Sequence, residues 1–185
     1  MANQKSNNYK IYNNEVSSAS IAASLSDKLI NIRNRNLSES LSDFEGTKHK
    51  LQYIKSIEGV DFVNDSRATN INSVWFALES MYKPIAWIMN IDDIDLITED
   101  LLESINKKVS RIIIQGVYNS EILDFFTGLG KEVFFTMNLE DAVRTAYYSC
   151  KQGDVVLFSP GTTSNGIYRT YRERGDKFIE AVAQL

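Results

Sequence analysis

Ile85–Met89 and Val155–Phe158 are apolar from end to end, and residues 111–115 and 132–135 each carry three consecutive apolar side chains. Such runs are too short for helices and lack the polar alternation of a strand with one wet face. Each therefore reads as a strand buried on both sides. Between them the period changes. Val74, Leu78 and Met81 share a helical face over residues 72–81, and Leu101, Leu102 and Ile105 do so over 96–107. Residues 120–126 make a further helix, stopped by Gly128 and Gly130. Ala142, Val143 and Ala146 mark residues 139–150, and Phe178, Ile179 and Val182 mark 164–182. Ahead of all these, residues 50–57 and 60–63 flank Glu58-Gly59 as a β-hairpin. The order predicts an α/β, doubly wound fold. Its sheet is mainly parallel and six-stranded, Rossmann-like, with residues 50–57 as one antiparallel edge strand.

In such sheets ligands sit beyond the carboxyl ends of the strands. Here those ends are residues 64–70, 90–95, 116–119, 136–138 and 159–165, rich in Asn, Asp, Ser, Thr and Gly. That composition suits ligand loops, and it equally suits turns and helix caps. The net charge of −4 offers no general attraction for nucleic acid or anionic lipid. Residues 1–12 form no apolar signal run and no stretch is apolar enough to span a bilayer, so a cytoplasmic location is expected. Cys150 is the only cysteine and His49 the only histidine, which excludes an intrachain disulfide and argues against a His/Cys metal site. Cys150 follows Ala146 and Tyr147 on a helical face and reads as a buried, inert thiol.

Motifs that activate a nucleotide are missing. Gly130-Lys131 is followed by Glu132, with Phe125 where a P-loop needs its first glycine. Gly128-Leu129-Gly130 precedes a strand, the wrong context for a dinucleotide fingerprint. A nucleophilic triad would have to use His49, which sits among lysines at the start of the edge strand.

Three segments, in order, resemble one family. Gly46-Thr47-Lys48-His49-Lys50-Leu51 is similar to the segment that opens the carboxy-terminal domain of the Mur ligases. Asn64-Asp65-Ser66-Arg67-Ala68-Thr69-Asn70 is similar to their Asn-Asp-Ser-Lys-Ala-Thr-Asn block. Gly153-Asp154-Val155-Val156-Leu157-Phe158-Ser159-Pro160, followed by Arg174-Gly175-Asp176-Lys177-Phe178, is similar to their closing motifs. Order and spacing fit the D-glutamate-adding branch of peptidoglycan synthesis best. Residues 46–185 then match the carboxy-terminal domain. Residues 1–45 match a mobile start plus helices, at 15–32 and 37–44, that resemble the end of the central ATPase domain.

The resemblance implies an ATP-dependent amide-forming ligase, with ATP and Mg as cofactors held largely by a central domain that this sequence does not include. It implies that the carboxy-terminal domain closes over the nucleotide and holds the incoming amino acid. Asn14, Lys50 and Asp65 would lie by ATP. Arg67, Thr69, Ser164 and Tyr171 would contact a small anionic amino acid or phosphate. No catalytic residue and no metal ligand is implied in this stretch. Asp65 and Thr69 each also read as helix caps, and Tyr171 as core. An anion is expected between Arg67 and Ser164, the latter at the start of the last helix; alternatively Arg67 pairs with Asp65 or another Asp.

Some positions depart from the pattern. Lys50 and Arg67 exchange arginine for lysine and lysine for arginine, which keeps charge but changes geometry. Residues 90–95 read Asn-Ile-Asp-Asp-Ile-Asp where the family has a Gly-Gly turn and a lysine, and Asp93 stands at the lysine position. Ser17 stands where the family has a second asparagine. Two readings follow: part of a divergent ligase, inactive as an isolated chain, or a binding module that kept the fold and lost the glutamate site.

Overall fold

The computed structural model describes residues 48–164 and 167–185. The helices expected over residues 15–32 and 37–44, and Asn14, lie outside the described residues. Six strands, β1 (Gln52–Ile57), β2 (Val60–Asn64), β3 (Ile85–Met89), β4 (Val109–Gln115), β5 (Glu132–Thr136) and β6 (Val155–Phe158), form one sheet in the order β1-β2-β6-β3-β4-β5. β1 pairs antiparallel with β2, and the other pairs are parallel, as the apolar runs predict. The last strand, β6, is the one inserted between β2 and β3.

Among the described residues, the helices α1 (Ile71–Glu79), α2 (Glu99–Lys108), α3 (Ser120–Gly128) and α4 (Leu139–Ser149) connect strands β2 to β6, and α5 (Tyr171–Ala183) follows β6. Phe62, Ala86, Ile88, Ile113, Val156 and Phe158 bury one sheet face against Ala142, Val143 and Ala146 of α4 and Phe178 and Val182 of α5. Strand side chains alternate, so Trp87, Ile112 and Leu157 face the opposite way. On that side α1, α2 and α3 bury Val74, Leu78, Leu101, Ile105, Ile122 and Phe126. The layers are those of a doubly wound domain, and no helix among the described residues is long and apolar enough to cross a membrane.

Each helix begins with a short polar cap. Asn70, Thr98, Asn119, Asn138 and Thr170 accept from backbone N–H groups of the first turns of α1 to α5. Much of the polar character of the strand ends is thus capping chemistry. Two expectations change. The last helix starts at Tyr171 and not at Ser164, because Thr170 caps it and Glu173 reaches back to the N–H of Arg169 at 2.8 Å. Leu96 belongs to a 3-10 turn, Ile94–Leu96, and α2 starts only after the Thr98 cap. Cys150 is half-buried at the end of α4, and burial, with Asp154 nearby, pushes its thiol up to about 12.

Candidate functional site

The loop after β2, residues 64–70, is fixed from several directions. Asp65 accepts from Leu51 N at 3.1 Å through Oδ1 and from Ser159 Oγ at 2.9 Å through Oδ2. Its own N–H donates to Phe158 O at 2.8 Å. Asn64 accepts from Ser66 N at 3.1 Å, donates to Gly175 O at 3.2 Å and lies 3.2 Å from His49 Nδ1. Arg67 N donates to His49 O at 3.0 Å, and Gly161 N donates to Ala68 O at 3.1 Å. Asp65 is therefore neither the cap of α1 nor the partner of Arg67. The cap is Asn70, not Thr69, whose side chain is half-buried.

Arg174 and Gly175 complete this arrangement, and the reading of the sequence gave neither a role. Arg174 is 1% exposed, and its Nη2 donates to Ser66 O at 2.8 Å and Thr162 O at 3.1 Å. One guanidinium thus clamps the loop after β2 to the loop after β6. Gly175 lets α5 approach closely: an added Cβ would stand 2.2 Å from His49 Nδ1 and 2.3 Å from Ser66 Oγ. Asp176 follows with Oδ1 3.6 Å from His49 Nε2. The Arg-Gly-Asp run is a docking device for α5, and the signal for it lay in a buried-size constraint that one sequence does not display.

Arg67 and Ser164 line two separate clefts where one was expected. The first, of about 450 Å³, is lined by Lys50, Asp65, Arg67, Asn72, Ser73 and Phe76. Lys50 and Arg67 are exposed, and neither has an ion-pair partner among the described residues. Lys50 Nζ lies 5.9 Å from the Phe76 ring centre, and the Arg67 guanidinium 6.0 Å from that of Tyr171. Burial pushes the Asp65 carboxyl up to about 7, against the hydrogen bonds from Ser159 and Leu51 and the charge of Lys50.

The second cleft, of about 390 Å³, opens between the carboxyl ends of β3 and β6 and holds Asp92, Thr162, Thr163, Ser164 and Tyr168. The chain leaves β3 and β6 toward opposite faces of the sheet, which is where doubly wound folds bind ligands. Ser164 lines this cleft without a helix amino end behind it, and Arg67 lines the other. Tyr171 packs edge-on to His49, ring centres 6.3 Å apart, on the Arg67 side. Asp93, set by alignment at the lysine position, instead accepts from Asp95 N and caps the 3-10 turn; Asp92 is the carboxylate that lines the cleft. Among the described residues no group of three or more His, Cys, Asp or Glu side chains could hold a metal ion.

Comparison with known proteins gives the family. No family model matches the chain. It is 38% identical over 165 residues to UDP-N-acetylmuramoylalanine--D-glutamate ligase of Christiangramia forsetii, covering 89% of this chain and 37% of that protein. The Bacteroides fragilis protein of the same name is 35% identical over 167 residues, covering 90% of this chain and 38% of its own length. Among solved structures, UDP-N-acetylmuramate-alanine ligase from Thermotoga maritima superposes with a TM-score of 0.50 at 17% identity, over 79% of this chain and 32% of that one, which speaks to fold alone. The chain spans little more than a third of the curated relatives it matches. On sequence and fold together, this chain is a member of the Mur ligase family and corresponds to the carboxy-terminal domain of its D-glutamate-adding branch.

Proposed function

We propose that this chain serves as the nucleotide-closing, amino-acid-presenting part of an ATP-dependent ligase that joins an amine to a carboxylate. One observation carries the reading: two free cations, Lys50 and Arg67, stand over a cleft whose walls are fixed by buried hydrogen bonds. A rigid wall holds cations in place before an anion arrives, so binding costs little reorganisation. The amino end of α1 adds backbone N–H groups and a positive dipole end on the same side. Phe76 offers a ring face beside them. These groups fit a nucleotide phosphate, with Arg67 able to grip two oxygens at once. They supply no Mg ligand set, which a partner domain would bring together with the P-loop that this sequence lacks. When bound there, ATP supplies the phosphoryl group that activates the carboxylate. Thr69, Ser164 and Tyr171, with the second cleft, then present the amine.

A second reading keeps the clefts and drops the chemistry: a module that binds an anion without turnover. The replacement of a lysine-bearing loop by Asn90-Ile91-Asp92-Asp93 favours it. Both readings expect phosphate recognition at Lys50 and Arg67. In a backbone NMR titration with ATP, and with inorganic phosphate alone, shifts should centre on Lys50, Arg67, Asn72 and Ser73. Arg67→Ala should weaken binding about ten-fold or more, as loss of a charge-assisted bidentate contact does. Shifts elsewhere, or an Arg67→Ala protein that binds like the parent, would refute the assignment.

A further inference from the structure

The sheet has two edges, and only one is defended against further pairing. β1, on one side, carries a register shift between Tyr53 and Lys55 and a lysine within the strand, features that bend an edge and discourage strand addition. β5, on the other side, pairs with β4 alone among the described residues and keeps an unbroken register from Glu132 to Thr136. Its sequence, Glu-Val-Phe-Phe-Thr, holds no proline, glycine or lysine, and residues 133–136 are only half-buried. Exposed apolar side chains surround it. Val117 and Tyr118 in the loop after β4, Met137 directly after β5 and Tyr148 on α4 are 63% to 78% exposed. Tyr118 packs on Phe135 with ring centres 5.1 Å apart, and Phe134 and Tyr148 line one shallow groove on the other face.

The backbone of β5 fixes which residues are available at this edge. Gly116 N donates to Thr136 O at 2.9 Å, so the backbone groups of Thr136 point toward β4. The direction alternates along a strand. Phe134 and Glu132 therefore also point inward, and the N–H and C=O groups of Val133 and Phe135 point out of the sheet. We propose that this edge pairs antiparallel with β5 of a second copy of the chain, about a two-fold axis at Phe134, joining two six-stranded sheets into one. In that register Val133 and Phe135 of one copy exchange hydrogen bonds with Phe135 and Val133 of the other, which satisfies the outward groups of the strand. Phe134 meets its own counterpart in the closer, non-bonded pair. Glu132, the only charge in β5, faces neutral Thr136, and Lys131 faces neutral Met137, so no like charges stand opposite one another. The strand is thus complementary to itself, and a two-fold contact of this kind closes at two copies. β5 lies at the far edge of the sheet from β1 and β2, which leaves the cleft of Lys50 and Arg67 outside the interface.

The test is sedimentation velocity of the full chain from micromolar to near-millimolar concentration, with hydrogen exchange read alongside. The mass should rise to that of two copies, and protection of the Val133 and Phe135 amides should rise with it. Val133→Pro removes an outward N–H while sparing the ladder to β4, and should hold the chain at one copy. Met137 is exposed and stands opposite Lys131 in this register, so it reports the alignment. Met137→Lys should weaken association and Met137→Glu should strengthen it, by about five-fold each. An amide spectrum that matches the parent outside β4 and β5, with Lys50 and Arg67 unmoved, shows that each variant is folded. A mass of one copy at every concentration would overturn the proposal, as would assemblies that grow beyond two or a dimer that Val133→Pro leaves intact. Full protection of the Val133 and Phe135 amides in dilute single copies would overturn it too, by showing the edge covered within the chain. Met137→Lys and Met137→Glu moving the equilibrium the same way would refute the two-fold register.

Discussion

Asp65 is the residue on which the most depends. The block around it is legible in sequence, yet the neighbours that define its chemistry, Leu51 and Ser159, come from distant segments. Pattern reading left it between a helix cap and a nucleotide contact, and the fold gives it a third task, joining the chain before β1 to the loop after β6. Its carboxyl is raised to about 7, chiefly by burial. A raised acid keeps its proton in the folded protein over a range where the unfolded chain has lost it. Its contribution to stability is complete below the unfolded value near 4 and fades as pH rises through about 7. Urea unfolding at intervals from pH 4 to 8 should therefore show the parent losing stability relative to Asp65→Asn as pH rises. Parallel curves for the two proteins would show that Asp65 titrates normally. Arg67 illustrates the opposite case: its exposed charge could be read from the motif, but its separation from Ser164 could not, since which cleft a loop lines depends on how neighbouring loops are tied.

At the scale of elements, the strands were the most legible feature. Ile85–Met89 and Val155–Phe158 match their apolar runs residue for residue, because a strand covered on both faces tolerates no polar interruption. Helix starts were less so. An apolar face tells where a helix packs, while a cap tells where it begins, and several Ser, Thr and Asn residues compete for that task between Pro160 and Tyr171. Only the Thr170–Glu173 pair, with Glu173 on Arg169 N, settles the start of α5. The seating of α5 rests on Gly175. Gly175→Ala should destabilise the protein by about 1–3 kcal/mol, as overpacking of a close contact does, and should shift His49 and Ser66 resonances. The exposed Gly128 has open space around it, and Gly128→Ala in the same helix-to-strand fold should change stability by well under that amount. Equal effects of the two substitutions in thermal or urea unfolding would contradict the close-approach account.

For the whole molecule, the class of fold and the family could be inferred from the sequence, while the placing of Arg67 and Ser164 on separate clefts could not. The first depends on periodicity and motif order. The second depends on tertiary structure, in which Arg174 ties the loop after β2 to the loop after β6 through the carbonyls of Ser66 and Thr162. The chain carries cations for a phosphate but no loop to cradle a triphosphate end to end. Purified chain with ATP, Mg and a panel of amino acids should accordingly show no nucleotide hydrolysis above buffer. Turnover that is lost in both Asp65→Ala and Arg67→Ala would place the chemistry within this chain and overturn the expectation.

The position of β6 also orders how the molecule can come into being. The hairpin β1-β2 and the block β3-β4-β5 share no hydrogen-bonded edge until the strand between them has been made. That strand is the last, and the arginine that ties its loop to the loop after β2 comes later still, in the final helix. A nascent chain leaving the ribosome would therefore carry two unjoined half-sheets from the completion of β5 until β6 has been made. They would fuse, and both clefts would take shape, only then, through contacts between segments far apart in sequence.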